Sequence, residues 1–131
     1  MAKLSDASIR KLATCESQLQ EIIREAIKIT DFSVICGHRS LEEQSELYRF
    51  GKSQKKGGES KHNVFPSLAV DLAPYPIDFA DRDRFFYLAG IIKATAFKLG
   101  IKIRMGCDWN GDGQFRSEVF QDLGHFELES L

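Results

Sequence analysis

The sequence predicts an α+β fold in which a small, mainly antiparallel sheet packs against helices. Long stretches repeat apolar residues at helical spacing, shorter ones alternate or form brief β-type runs, and the two kinds come in mixed order with few strands.

Residues 5–29 place Ile9, Leu12, Leu19, Ile22, Ile23, Ala26 and Ile27 on one helical face, with Ser5 or Asp6 as the N-cap. Residues 32–36 (Phe-Ser-Val-Ile-Cys) follow as a strand, and 37–40 as a turn. Residues 41–50 return to helix, with Gly51 as its stop. The run 51–60 has no apolar residue and reads as a basic surface loop. Residues 68–72 (Leu-Ala-Val-Asp-Leu) form a second strand, ended by Pro74 and Pro76. Asp81 or Asp83 caps a helix running to Leu99, with Phe85, Phe86, Leu88, Ile92, Ala96 and Leu99 inward and Gly100 as its stop. Residues 101–105 and 125–128 alternate as strands around a Gly/Asp/Asn-rich loop.

The 131 residues make one domain, 1–131, with 43% apolar residues and 11% aromatics to build its core. Lys and Arg total 18 against 19 Asp and Glu, so a nucleic-acid binder relying on a phosphate-neutralising surface is excluded. Cys15, Cys36 and Cys107 are odd in number and widely spaced, which argues against a disulfide framework and for a reducing compartment. The first ten residues hold no apolar h-region, so neither an export signal nor a stable membrane insertion is expected.

Chemistry centres on the histidines His38, His62 and His125. Asp71 sits nine residues after His62 inside an apolar strand, where a carboxylate is costly unless it meets a cation or a metal. Alternation puts His125 and Glu127 on one face, with Phe126 and Leu128 on the other. Two imidazoles and a carboxylate suit a catalytic zinc, which keeps three protein ligands and leaves a position for water. The alternative is that Asp71 pairs with Arg39 or Arg104 and that both histidines are ordinary surface or cap residues. Glu127 either orients an imidazole or is a solvated strand residue. Cys36 and Cys107 are candidate zinc ligands by chemistry, or small buried residues; Cys107 with His125 would make a thiol hydrolase.

Ser60-Lys-His-Asn63, Ala69-Val-Asp71 and Asp122-Leu-Gly-His125-Phe-Glu-Leu128 resemble the motifs of the LAS metallopeptidases, as does Gly37-His-Arg39-Ser-Leu-Glu-Glu-Gln44. That family takes in phage L-alanyl-D-glutamate endopeptidases (endolysins) and D-alanyl-D-alanine carboxy- and dipeptidases. The resemblance runs in family order from Ile35 to Leu128. It implies a Hedgehog/DD-peptidase-like fold, with His62, Asp71 and His125 as zinc ligands and Asp122 as catalytic acid/base. It further implies that Arg39 sits over the substrate and stabilises the oxyanion, with Gln44 supporting it; Arg39 and Gln44 are thus candidate substrate contacts, and so is His38, which adjoins Arg39. His38 has the alternative of an exposed turn residue. Two departures stand out: the longer stretch between His62 and Asp71, containing Phe65-Pro-Ser67, and Gly124 before His125.

Asp108, Asn110 and Asp112 occupy positions 1, 3 and 5 of a calcium-type loop, with Gly113 at 6 and Gln114 at 7. Glu118 falls at position 11, one short of the EF-hand acid. Some endolysins of the resembled family have a calcium-responsive loop at this place, which implies a regulatory Ca2+; the alternative is an Asp/Asn/Gly-rich turn that binds nothing tightly.

The expected function is therefore a zinc peptidoglycan endopeptidase that cleaves the L-alanyl-D-glutamate bond of wall stem peptides. A monomer made in the bacterial host's cytoplasm would reach the wall through a membrane lesion. The rivals are a D-Ala-D-Ala carboxypeptidase or dipeptidase sharing the metal centre, and a non-catalytic calcium/zinc-binding module of the same fold. The basic loop 52–61 either faces the anionic wall or is simply solvated.

Overall fold

The computed structural model describes residues 2–114 and 122–129. Its elements run α1 (Asp6–Leu12), α2 (Ser17–Ala26), β1 (Phe32–Cys36), α3 (Leu41–Arg49), a 3-10 turn (Lys61–Asn63), β2 (Ala69–Pro74), α4 (Arg82–Lys98), β3 (Ile103–Met105) and β4 (His125–Leu128). The four strands form one antiparallel sheet in the order β1-β2-β4-β3. The predicted α+β class is the observed one.

The expected single helix over 5–29 is two helices. Its apolar period runs through the junction, but the Thr14 carbonyl and the Glu16 N–H pair with a distant segment instead of continuing the helix. Ser67 N–H donates to the Thr14 carbonyl (2.8 Å) and Glu16 N–H to the Ser67 carbonyl (2.9 Å). Glu16 then caps α2 by accepting from Gln18 N–H. β3 starts two residues later than alternation suggests, because Ile101 N–H is taken by the Ala96 carbonyl in closing α4 (2.9 Å). β2 runs on to Pro74, which sits opposite Phe32 at the end of the ladder, where the missing N–H costs least.

One face of the sheet is apolar. Val34, Val70, Leu72, Met105, Phe126 and Leu128 join Leu19, Ile22 and Ile23 of α2 and Leu88, Ile92 and Ala96 of α4 in a single core. Register then decides what the other face carries. Asp71 lies opposite His125, Arg104 opposite Glu127, and Cys36 opposite Asp71 across a bulge. Period-two alternation thus gathers the polar residues of four strands on one side.

Candidate active site

On this polar face lies a cleft of about 590 Å³. At its floor Asp71 Oδ1 receives two imidazole nitrogens, His62 Nε2 at 3.1 Å and His125 Nδ1 at 3.0 Å. His62 comes from the 3-10 turn, whose start is capped by Ser60, and its far nitrogen Nδ1 meets the Gly37 carbonyl at 2.7 Å. The stretch between His62 and Asp71 is long because Ser67 reaches out to the junction of α1 and α2. Leu68 N–H returns to the Lys61 carbonyl (3.2 Å), which brings the two ligand candidates together despite nine residues of separation.

His125 is held from both sides. Its Nε2 lies 2.8 Å from Glu127 Oε1, and Glu127 Oε2 pairs with Lys61 (3.2 Å) and Arg104 (3.1 Å). Glu127 is fully buried, so it is no solvated strand residue. Burial alone would raise its pKa; the His125 hydrogen bond and the His125 and Lys61 charges hold it at about 2. Burial likewise works against a charged Asp71, yet the hydrogen bonds from His125 and His62 keep its carboxyl well below the usual range. Burial disfavours charge on His62 too, but its bonds to Asp71 and Cys36 push it up to about 10, and His125 is raised by Asp71 and Glu127 against the same burial penalty. Imidazoles whose pKa values are raised by a shared carboxylate mark a place that favours positive charge, and a divalent cation between neutral imidazoles would satisfy it equally. Nitrogen and oxygen donors of this kind fit zinc. The candidate metal-holding groups are Asp71–Asp122–His125 and Cys36–His62–Asp71, which share Asp71.

Asp122 stands at the rim, half-exposed, with Oδ2 4.0 Å from His125 Nδ1. Desolvation and the Asp71 charge raise its pKa, against the attraction of His125, His62 and Arg39. Its position depends on close packing without side chains. A Cβ on Gly106 would collide with the Asp122 carbonyl, and one on Gly124 with the Leu72 carbonyl, which leaves Gly124 little freedom to vary here. Arg39 reaches Asp71 Oδ2 through Nη2 (3.3 Å) and Gln44 Oε1 through Nη1 (2.7 Å).

Two expectations need correction. Gln44 is buried and absent from the cleft lining, so it braces Arg39 and does not touch substrate. Its amide also donates to Ser53 Oγ (2.9 Å) and the Lys55 carbonyl (2.7 Å). His38 is exposed and packs edge-on against Phe65, beside a separate depression, because its N–H is drawn to Thr14 Oγ1. The structure adds Trp109, which the sequence did not single out, and places Arg104, Cys36 and Cys107. Trp109 lines the cleft with its ring centroid 5.4 Å from His125, and Arg104 lies over that ring at 5.3 Å. Cys36 sits at the edge of the site, its Sγ 3.8 Å from His62 Nδ1. Cys107 is buried in the core and does not line the cleft.

In the neighbouring loop Asp108 is buried, with Oδ2 accepting from Gly113 N–H (2.8 Å) and Oδ1 without a partner among the described residues. Asn110 Oδ1 accepts from Asp112 N–H and Asp112 Oδ1 from Gln114 N–H. Glu118 lies outside the described residues.

A family model described as phage L-alanyl-D-glutamate peptidase matches residues 1–129. The chain belongs to this family. Among curated proteins it is 33% identical to the L-alanyl-D-glutamate peptidase of Escherichia phage T5, over 96% of this chain and 97% of that protein. Among solved structures it resembles the L-Ala D-Glu endopeptidase ChiX of Serratia marcescens, with a TM-score of 0.76, 27% identity, and coverage of 96% of this chain and 90% of that one. Membership of the phage L-alanyl-D-glutamate peptidase family makes the chain a peptidase, and the cleft is where its polar chemistry gathers.

Proposed function

We propose that this peptidase is zinc-dependent and hydrolyses the L-alanyl-D-glutamate bond of cell-wall stem peptides. The observation that carries the reading is the convergence of His62 and His125 on one oxygen of Asp71, with Asp122 at the rim and Arg39 alongside. His62, Asp71 and His125 would hold the zinc, which when bound supplies Lewis acidity and lowers the pKa of water to about 7. Asp122, whose pKa is raised by desolvation and the Asp71 charge, takes the proton of the attacking water as a carboxylate and passes it to the leaving D-glutamyl amine. Arg39, fixed by Gln44, offers N–H donors to negative charge developing on the alanyl carbonyl oxygen.

Purified peptidoglycan digested with and without a chelator, with new termini identified by mass spectrometry, tests the whole reading. The expected product is a new N-terminal D-Glu, lost on chelation and restored by zinc. Absence of cleavage by fully zinc-loaded protein would sink it.

The 108–114 loop is proposed to bind calcium, a cation that takes oxygen ligands; the buried, unpartnered Asp108 Oδ1 supports this. Trp109 adjoins Asp108 and is the chain's one tryptophan, so its fluorescence reports the event directly. Calcium should change the emission of the wild type and not of Asp108→Ala; identical responses would refute the site. As to place, the proposed substrate puts the peptidase at the bacterial wall, reached from the host cytoplasm through a membrane lesion. Among the described residues no helix is long and apolar enough to cross a membrane.

A further inference from the structure

The cleft is cationic although the whole chain carries a net charge of −1. Arg39, Lys52, Lys55 and Arg104 line it against only Asp71 and Asp122. Two of these six charges are spent on each other, since Arg39 pairs with Asp71, whose other oxygen serves both imidazoles. Lys52 and Lys55 have no ion-pair partner among the described residues. Their segment is nevertheless fixed, because Gln44 holds Ser53 and the Lys55 carbonyl with the same amide group that braces Arg39.

At the other edge of the sheet, Arg104 on β3 stacks over Trp109 and makes one ion pair among the described residues, through Nη2 to Glu127, with nearly half its side chain exposed. A guanidinium has five N–H donors in a rigid fork, so this pairing leaves donors directed elsewhere. Fixed cations thus flank the proposed scissile bond on both sides. Lys52 and Lys55 pair with none of the proposed metal ligands or the proton carrier, and Arg104 touches the ligand set only through Glu127.

We infer that the cleft reads a free carboxylate on the substrate, and that Arg104, Lys52 and Lys55 set a preference for stem peptides bearing it over their amidated counterparts. The inference rests on the proposed L-alanyl-D-glutamyl cleavage. D-Glutamate has two carboxyl groups and continues the chain through only one. Where it continues through the γ-carboxyl, the α-carboxylate remains on the carbon that bears the scissile nitrogen. An anion so close to Asp71 and Asp122, in a partly desolvated cleft, is repelled unless cations answer it. Converting that carboxylate to its amide keeps the shape and removes the charge. The acid–amide pair therefore isolates the contribution of the cationic walls.

The test measures kcat/KM for two synthetic peptides, L-Ala-γ-D-Glu-L-Lys and the same peptide with D-isoglutamine in place of D-Glu, using the metal-loaded protein. The acid should be cleaved about tenfold or more faster, the scale of one charge-assisted hydrogen bond, and the ratio should shrink as salt screens the walls. In Arg104→Gln, and separately in the double variant Lys52→Gln/Lys55→Gln, the ratio should fall toward one. Because both peptides meet the same protein, any loss of folding or metal cancels from the ratio. A wild-type ratio of one or below overturns the inference and leaves the cleavage reading intact. So does a ratio that both variants leave unchanged. Failure to cut either peptide or purified peptidoglycan would instead remove the activity itself, and the inference with it.

Discussion

Glu127 offers the sharpest test of how the site is held together. It is buried to 1% exposure, takes His125 Nε2 at 2.8 Å, and is shared by Lys61 and Arg104 at 3.2 and 3.1 Å. In Glu127→Ala, His125 loses the partner that fixes which nitrogen faces Asp71, and two cations lose their carboxylate. Removing such an orienting partner costs roughly 10–100-fold in metal affinity. Breaking a buried pair costs about 3–5 kcal/mol when the survivor stays buried. Here the Lys61 and Arg104 side chains are 29% and 45% exposed, so water takes over part of their solvation. A stability loss of about 2–3 kcal/mol is the better expectation.

Glu127→Gln separates the two contributions. Its amide oxygen can still accept from His125, while its NH2 group faces two cations that can only donate. Zinc affinity should therefore fall less than in Glu127→Ala, with most of the stability loss retained. Calorimetric titration of zinc into chelator-stripped protein gives the first quantity and urea unfolding of the same samples the second. If Glu127→Ala bound zinc as tightly as the wild type, the claim that this carboxylate positions His125 would be wrong.

Other perturbations probe the remaining roles. Asp122→Asn should lower kcat by about 10²–10⁴ while leaving zinc affinity near wild type, as calorimetry would show. In the wild type the raised Asp122 pKa should place the acid limb of kcat/KM above the ordinary Asp value of about 3.9. Gln44→Leu removes three hydrogen bonds under Arg39, so unfolding titration should show a loss of about 2–4 kcal/mol and kcat/KM should fall more than zinc affinity. Zinc must displace protons from His62, held at about 10, and from His125, also raised; chelator competition between pH 6 and 9 should show affinity rising by one to two log units per pH unit. In the metal-free protein the His62 contribution to stability is full below about 6.5 and lost as pH rises through about 10. The Asp71 contribution has the opposite sense, present above the ordinary carboxylate range and lost as pH falls through its lowered value.

The parts of this design visible in the sequence are those fixed by short-range periodicity. Alternation along 125–128 already placed His125 and Glu127 together, and an acid inside the apolar 68–72 run already asked for a partner. The parts that stayed hidden depend on distant backbone. The junction between α1 and α2 lies inside an unbroken apolar period and is set by Ser67, more than fifty residues away. Gln44 was recognisable as a companion of Arg39, but only the packing of the 53–55 segment over it shows that it lies beneath the cleft. Trp109 sits in a Gly/Asp-rich loop with no period, so nothing local indicated that it would line the cleft.

β4 shows why the polar residues matter as much to the fold as to the chemistry. An antiparallel strand with alternating character normally turns one face to the core and the other to water. All four residues of β4 are buried instead. Phe126 and Leu128 face the apolar core, while His125 and Glu127 face a network of Asp71, Lys61 and Arg104 that covers them as closely. The sheet is thus packed on one side by hydrocarbon and on the other by paired charge. A charged layer of this kind is worth little to stability by itself, since its Coulombic gain barely offsets desolvation. Its value is geometric: each ligand candidate is held by a partner that is itself held. Substitutions in that layer should therefore disturb the arrangement of the ligand candidates before they unfold the chain.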